Sequence, residues 1–222
     1  MIISLTGFMG CGKSSVGRRL SQLLCCPFMD LDAEIEARAG LTIAEIFARD
    51  GEAEFRMLEK ETLKDILETG GRVLEIPKTP ALPTVGHPLA GGGMSSPSSS
   101  TSACKNQEHP SNERPQMILA LGGGAVMTEG SAEMVHRDTV CIYLRASVDT
   151  LMEHLTGETS GRPLLAATSL RVAERRGKPL QERITKLMRE RSSTYERTAH
   201  HIIDTDGKTI DDIAQEIISL LQ

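Results

Sequence analysis

The chain has 222 residues, 39% of them hydrophobic and 25% charged, with a formal net charge of -5 and a pI near 5.7. This length suits one α/β domain and is short for two, so we expect a single domain over residues 1–222. The acidic balance gives no general attraction to nucleic acid or anionic membranes, and no apolar run is long enough to cross a bilayer. We therefore expect neither as a partner, and any anionic ligand must be held by individual cationic side chains.

The cysteines and the amino-terminal residues both indicate a cytoplasmic protein. There are five cysteines, an odd number without the spacing of a metal site, which favours reduced thiols over a disulfide framework. Met1–Thr6 is apolar but uncharged and runs directly into a glycine-rich loop instead of a cleavage site.

The first elements read as a strand, a loop and a helix. Ile2–Thr6 is a buried strand, and apolar residues recur at helical spacing after the loop, at Val16, Leu20, Leu23 and Leu24. Pro27–Asp30 is a short second strand, after which Asp32 is expected to cap a helix.

Two further helices follow before the composition changes. Thr42 is placed to cap a helix that carries Ile43, Ile46 and Phe47. An amphipathic helix then extends from Glu52 to about Glu68, where Gly70 and Gly71 end it.

The segment from Pro77 to Pro115 differs in composition from the rest of the chain. It contains seven of the ten prolines, many serines and no aromatic residue. Such a stretch cannot bury enough surface to fold alone, so we interpret residues 76–115 approximately as a disordered insertion. Its prolines at every third position, from Pro77 to Pro83, are compatible with a polyproline ligand for a partner, but we favour a flexible surface loop.

The α/β alternation resumes after the insertion. The predicted elements are strands at Met117–Leu121, Thr139–Leu144 and His201–Ile203, and helices at Ala132–His136, from Ser147 to Leu155, at Leu180–Tyr195 and after Thr209. A polar, arginine-rich stretch at about 157–180 reads as a mobile lid. Five strands alternating with helices predict a parallel sheet covered on both faces, with ligands at the carboxyl ends of the strands.

The strongest motif is Gly7–Ser14, which matches G-x-x-x-x-G-K-[ST] between a predicted strand and a predicted helix. Its glycines let backbone N–H groups surround a phosphate, and Lys13 provides a cation for the β- and γ-phosphates. Ser14 offers a hydroxyl to Mg²⁺. The pattern predicts a site for ATP and Mg²⁺; the alternative is a glycine-rich turn without a ligand.

Two aspartates follow the second strand. In extended geometry Asp30 and Asp32 place their carboxylates on one side, so one can serve Mg²⁺ while the other accepts the proton of an attacking hydroxyl. By itself the D-x-D pattern also fits a solvated turn with a helix cap.

Arginines and glycines complete the candidate site. Glu59 lies three residues after Arg56 and can orient its guanidinium toward a carboxylate ligand, although ordinary surface pairs share this spacing. Gly122–Gly124 follows a strand and allows close approach of a substrate, or is a simple tight turn. Arg162 belongs to the predicted lid, and Arg191 can reach the same cleft or be a solvated arginine.

In this order the motifs resemble the shikimate kinase family. The motifs that carry the resemblance are Gly7–Ser14, Phe28–Asp32, Ile46-Phe47, Gly51-Glu52, Phe55-Arg56, Leu121–Gly124, Arg162–Leu165 and Glu190-Arg191 with Tyr195. The resemblance covers Met1 to about Gly71 and Met117 to the end. It implies a three-layer P-loop fold, a parallel sheet in the order 2-3-1-4-5, a monomer, and transfer of the ATP γ-phosphate to the 3-hydroxyl of shikimate.

The resemblance also implies roles for individual residues. Asp32, Lys13 and Arg162 would be catalytic, and Ser14 and Asp30 would serve the metal. The nucleotide site would comprise Gly7, Met9, Gly10, Cys11, Gly12, Lys13, Ser14, Ser15 and Arg162. The shikimate site would comprise Asp32, Phe47, Phe55, Arg56, Gly122, Gly123, Gly124 and Arg191.

The chain departs from the family in three places, and two other functions stay open. It has the insertion, a lid rich in arginine at Arg171–Lys178, and only His154 where the family usually has an arginine near the adenine. A P-loop kinase of another metabolite such as gluconate is the alternative enzyme. A catalytically silent ligand-binding or interaction module is the alternative outside catalysis.

Overall fold

The computed structural model describes residues 1–70, 115–157 and 180–222. Nearly all of the predicted insertion and lid, and with them Arg162, lie outside the described residues. The division into one domain with an insertion and a lid therefore stays a prediction.

The described residues form one parallel five-stranded sheet in the order β2-β3-β1-β4-β5. The strands are β1 (Ile2–Thr6), β2 (Phe28–Asp30), β3 (Met117–Ala120), β4 (Thr139–Arg145) and β5 (His201–Asp204). The central strands β1 and β3 are buried along their whole length, as expected for a parallel sheet with both faces covered. The predicted strands and the expected strand order are confirmed.

Eight helices are described. They are α1 (Lys13–Leu24), α2 (Leu31–Ala39), α3 (Ile43–Arg49), α4 (Gly51–Thr69), α5 (Ser131–Asp138), α6 (Val148–Gly157), α7 (Leu180–Thr198) and α8 (Ile210–Leu220). A short 3₁₀ turn, Ala125–Met127, follows the triple glycine. α1 packs against α8, and α5 contacts α4, α7 and β4. No described helix has the length and apolar character needed to cross a membrane.

Two helix starts follow the capping residues that the sequence indicates, and a third requires a correction. Thr42 and Thr209 form capping boxes with Glu45 and Asp212, as their sequence contexts predict. The expectation that Asp32 caps α2 was wrong. Asp30 is the cap, because its backbone is extended and its Oδ1 accepts the N–H of Asp32 at 3.1 Å, so the helix already begins at Leu31.

The sequence of α8 predicts one core-facing side formed by Ile210, Ile213, Ala214, Ile217, Ile218 and Leu221, and only part of that side is buried. Ile213, Ala214 and Ile217 are buried, but Ile210 in the first turn is 46% exposed. Ile210 lies three residues before Ile213 and so near this face, but it does not join the core.

Candidate active site

The phosphate-binding loop joins β1 to α1 at the carboxyl edge of the sheet. Gly7, Gly10 and Gly12 have φ of 142°, 84° and 90°, values that side chains rarely allow. A Cβ on Gly7 would lie 2.6 Å from the carbonyl oxygen of Leu144. No side chain caps α1, so the N–H groups of its first turn are available to an anion.

Lys13 folds back over the loop. Its Nζ donates to the carbonyl oxygens of Gly7 and Phe8, each at 2.9 Å, and lies 3.9 Å from the Sγ of Cys11. Cys11 is buried, Met9 is half-buried and Ser15 is exposed. The ammonium group thus lies inside the loop where the sequence predicts a phosphate.

Ser14 and Asp30 bring two oxygen donors together next to this loop. The Oγ of Ser14 donates to Oδ2 of Asp30 at 2.6 Å, although the residues lie on α1 and β2. Among the described residues no group of three or more His, Cys, Asp and Glu side chains is arranged to hold a metal ion. One hydroxyl and one carboxylate fit Mg²⁺, which usually completes its octahedron with water and substrate phosphates.

Asp32 lies in the first turn of α2, next to the triple glycine. The argument from extended geometry was wrong, because the chain turns helical between the two aspartates. They nevertheless lie at the same edge of the sheet, and a Cβ on Gly122 would be 2.6 Å from Asp32 Oδ1. Burial, and to a lesser degree the charge of Asp30, raises the pKa of Asp32, while Lys13 and Arg56 oppose the shift.

Arg56 is held by a buried carboxylate on its own helix. Its Nη1 lies 2.7 Å from Oε2 of Glu59, whose side chain is 2% exposed, and its Nη2 makes a longer contact of 3.5 Å with the exposed Glu52. The predicted contact between Arg56 and Glu59 is confirmed. Burial raises the pKa of Glu59 even though Arg56 opposes the shift.

Two phenylalanines line the same region. The ring of Phe55 packs against Phe47 with centroids 4.7 Å apart, and the guanidinium carbon of Arg56 lies 5.2 Å from the Phe55 centroid. The two phenylalanines assigned to the shikimate site by the resemblance therefore pack together, and Phe55 lies next to the guanidinium of Arg56.

The triple glycine is needed because neighbouring side chains leave no room for a Cβ at Gly122 and Gly124. None of Gly122, Gly123 and Gly124 has a positive φ. A Cβ on Gly122 would also lie 2.7 Å from Oε1 of Glu59, and one on Gly124 would lie 2.4 Å from Nη1 of Arg56. The loop lets two carboxylates and a guanidinium pack directly against bare backbone.

Arg191 and Tyr195 reach the loop from α7. The carbonyl oxygen of Gly123 accepts the hydroxyl of Tyr195 and faces Nη1 of Arg191 at 3.5 Å. The structure thus brings together every predicted catalytic, metal and shikimate-site residue that it describes.

Sequence reasoning assigned no role to two residues that contact the site. The bond from Tyr195 to Gly123 was missed, although Tyr195 lies four residues after Arg191 and so on the same helical face. His154, noted only for the adenine side, places Nδ1 2.8 Å from the carbonyl oxygen of Gly10. Its position near the lid gave no signal of this contact with the phosphate-binding loop.

A phosphate-binding loop beside a carboxylate, a hydroxyl–carboxylate pair and two arginines is suited to phosphoryl transfer. Comparison with known proteins identifies the family. The family model described as shikimate kinase matches residues 9–76 and 99–222. The chain belongs to the shikimate kinase family. Within the predicted insertion, the family model leaves only residues 77–98 unmatched.

Relatives across bacteria extend the match to nearly the whole chain. A shikimate kinase of Flavobacterium johnsoniae is 33% identical over 99% of this chain and 98% of its own length. One from Rhodococcus jostii is 32% identical over 98% of this chain and 95% of its own. A shikimate kinase from Acinetobacter baumannii solved with shikimate has a TM-score of 0.69 and 26% identity, covering 99% of this chain and 92% of that one. ATP is the phosphate donor of this family.

Proposed function

We propose that this chain transfers the γ-phosphate of ATP to the 3-hydroxyl of shikimate, giving shikimate 3-phosphate and ADP. One observation carries the proposal. Asp32 and the Arg56–Glu59 ion pair pack against the bare backbone of Gly122–Gly124, next to the phosphate-binding loop. A site for an acceptor with both a hydroxyl and a carboxylate needs a base and a guanidinium in this proximity.

The phosphate-binding loop and Lys13 bind the donor. The loop's N–H groups and the amino end of α1 surround the phosphate oxygens. Lys13 leaves the carbonyls of Gly7 and Phe8, which it contacts in this structure, and turns its ammonium group toward the β- and γ-phosphates. In its new position the ammonium group of Lys13 neutralises negative charge on the transferred phosphate.

Ser14 and Asp30 hold Mg²⁺ in this proposal. Ser14 would offer its hydroxyl to the ion, and Asp30 would orient that hydroxyl through the oxygen that accepts it in this structure. Mg²⁺ supplies neutralisation of phosphate charge.

Asp32 acts as the general base. Its raised pKa makes the carboxylate a better proton acceptor than an exposed aspartate, while Lys13 and Arg56 help keep it ionised. Asp32 takes the proton of the 3-hydroxyl, the acceptor oxygen bonds to phosphorus, and the bond between the γ-phosphorus and the bridging oxygen breaks to release ADP.

Arg56 and Arg191 bind the carboxylate of shikimate. Glu59 holds the guanidinium of Arg56 in place, which reduces the freedom lost on binding. Phe47 and Phe55 pack against the ring, and Gly122–Gly124 lets its hydroxyls approach the backbone. We assign Arg162, which lies outside the described residues, to stabilisation of the transferred phosphate.

We further propose that the protein acts as a monomer in the cytoplasm. The odd number of cysteines, without the spacing of a metal site, supports reduced thiols and therefore a reducing compartment.

The test is ADP release by the purified chain with ATP and Mg²⁺, in parallel with shikimate and with gluconate. ³¹P NMR of the product identifies the phosphorylated position. We expect turnover with shikimate and a 3-phosphate product. Turnover with gluconate alone would indicate a kinase of another metabolite, and turnover with neither would overturn the proposed function.

A further inference from the structure

The side chain of Tyr195 is polar, buried and not used by the proposed mechanism. It is 1% exposed, on α7, and its ring stacks on Tyr143 of β4 with centroids 5.2 Å apart. Burial, the largest cause, raises the pKa of its hydroxyl, which therefore stays protonated and can donate. Its acceptor is the carbonyl oxygen of Gly123.

The acceptor of this hydrogen bond is the middle residue of Gly122–Gly124, here called the substrate loop. Nη1 of Arg191, one helical turn before Tyr195, faces the same carbonyl oxygen at 3.5 Å. The hydrogen bond of Tyr195 therefore holds α7 against the loop close to Arg191. The contact of Arg191 with Gly123 is long, and its guanidinium also lies within hydrogen-bond reach of the Tyr195 hydroxyl, so the two side chains meet the loop as a pair.

Gly123 also contacts the phosphate-binding loop. A Cβ at this position would lie 3.3 Å from the backbone N of Met9 and 3.8 Å from the carbonyl oxygen of Gly7. The substrate loop is thus packed between the phosphate-binding loop and α7. The phosphate-binding loop supports Gly123 on one side, and the hydrogen bond from Tyr195 fixes its carbonyl group on the other.

We propose that Tyr195 is a positioning residue that fixes the Gly122–Gly124 loop and Arg191 for the phosphate acceptor by donating a hydrogen bond to Gly123. The proposal rests on the proposed function for its kinetic test. A residue that only fills the core would need its ring but not its hydroxyl.

The test compares Tyr195→Phe with Tyr143→Phe, two variants that each remove one hydroxyl from the same ring stack. For Tyr195→Phe we expect the KM for shikimate to rise about tenfold, with the KM for ATP changed by less than about twofold. Tyr143→Phe should leave both KM values within about twofold of the parent. Equal rises in both KM values for Tyr195→Phe, or no rise, would overturn the positioning role.

A double-mutant cycle with Arg191→Lys tests whether Tyr195 acts through Arg191. We expect Tyr195→Phe to have a smaller effect on the KM for shikimate in the Arg191→Lys background than in the parent. Full additivity would contradict action through the arginine.

Backbone hydrogen exchange provides a readout without substrate. The amides of Gly123 and Gly124 should exchange at least about threefold faster in Tyr195→Phe than in the parent, and at the parent rate in Tyr143→Phe. Unchanged exchange in Tyr195→Phe refutes the proposal even if the parent phosphorylates no shikimate. Absence of shikimate turnover in the parent refutes the proposed function alone.

Discussion

Arg56 and Glu59 form a 2.7 Å ion pair on one turn of α4, in which the carboxylate is buried and the guanidinium is 25% exposed. The carboxylate of Glu59 also packs against the backbone of Gly122, next to Asp32. The buried carboxylate of Glu59 therefore orients the guanidinium of Arg56 toward the cleft. Arg56 has a second acidic contact, with the exposed Glu52, and the two contacts allow a matched comparison.

Glu59→Gln should weaken shikimate binding more than Glu52→Gln does. Both substitutions remove one negative charge that contacts Arg56, but only Glu59 is buried and at close distance. We expect the KM for shikimate to rise about tenfold in Glu59→Gln, because a charge-assisted hydrogen bond is lost. Glu52→Gln should stay within about twofold of the parent. Steady-state kinetics with both variants checks this, and equal effects would show that Glu59 does not orient Arg56.

The stability of Glu59→Gln relative to the parent should depend on pH in a defined direction. Burial raises the pKa of Glu59 above its ordinary value of 4.5, so the folded protein takes up this proton at a higher pH than the unfolded chain. The parent therefore gains stability as pH falls through the folded pKa, and the gain is complete below about 4.5. Glu59→Gln lacks this gain.

Urea unfolding of both proteins between neutral pH and about pH 4.5 measures that difference. We expect the free energy of unfolding of Glu59→Gln, minus that of the parent, to decrease steadily as pH falls. A difference that increases toward low pH would mean that the folded protein lowers the pKa of Glu59.

Asp32→Asn should abolish turnover and preserve shikimate binding. The amide retains the shape of the carboxylate but cannot accept the hydroxyl proton, so kcat should fall about 10²–10⁴-fold. Isothermal titration calorimetry should still detect shikimate, because Arg56 and Arg191 are unchanged. Near-normal turnover would exclude Asp32 as the base.

Sequence reasoning was most reliable where the interacting residues are close in the chain. Gly7–Ser14 and the Arg56–Glu59 pair each lie within a single motif, so the spacing of their residues along the chain predicts how they are arranged. Gly122 meets Asp32 and Glu59 only because β3 is inserted between β1 and β2. Such a contact depends on strand order, which local spacing cannot give, and the same is true of Tyr195 and Gly123.

Gly124→Ala should displace Arg56 without preventing folding. Its Cβ would lie 2.4 Å from Nη1 of Arg56, but a guanidinium at the end of a flexible side chain can move away. We expect the KM for shikimate to rise about tenfold with a small change in Tm. In Gly123→Ala the new methyl group faces the backbone of Met9, so the KM for ATP should rise instead. The same kinetic profile in both variants would contradict this division.

Asp30→Asn should increase the Mg²⁺ concentration needed for half-maximal turnover. Asp30 accepts the Ser14 hydroxyl at 2.6 Å, and loss of its charge weakens the oxygen set proposed for the metal. Groups that orient a metal ligand contribute about 10–100-fold to metal affinity, so we expect at least a tenfold shift in a Mg²⁺ titration at constant ATP. Asp65→Asn, on the exposed side of α4 where Asp65 pairs with Arg38, provides the same charge change away from the site. Its Mg²⁺ requirement should match the parent, and an equal shift in both variants would attribute the effect to net charge and not to a metal site at Ser14 and Asp30.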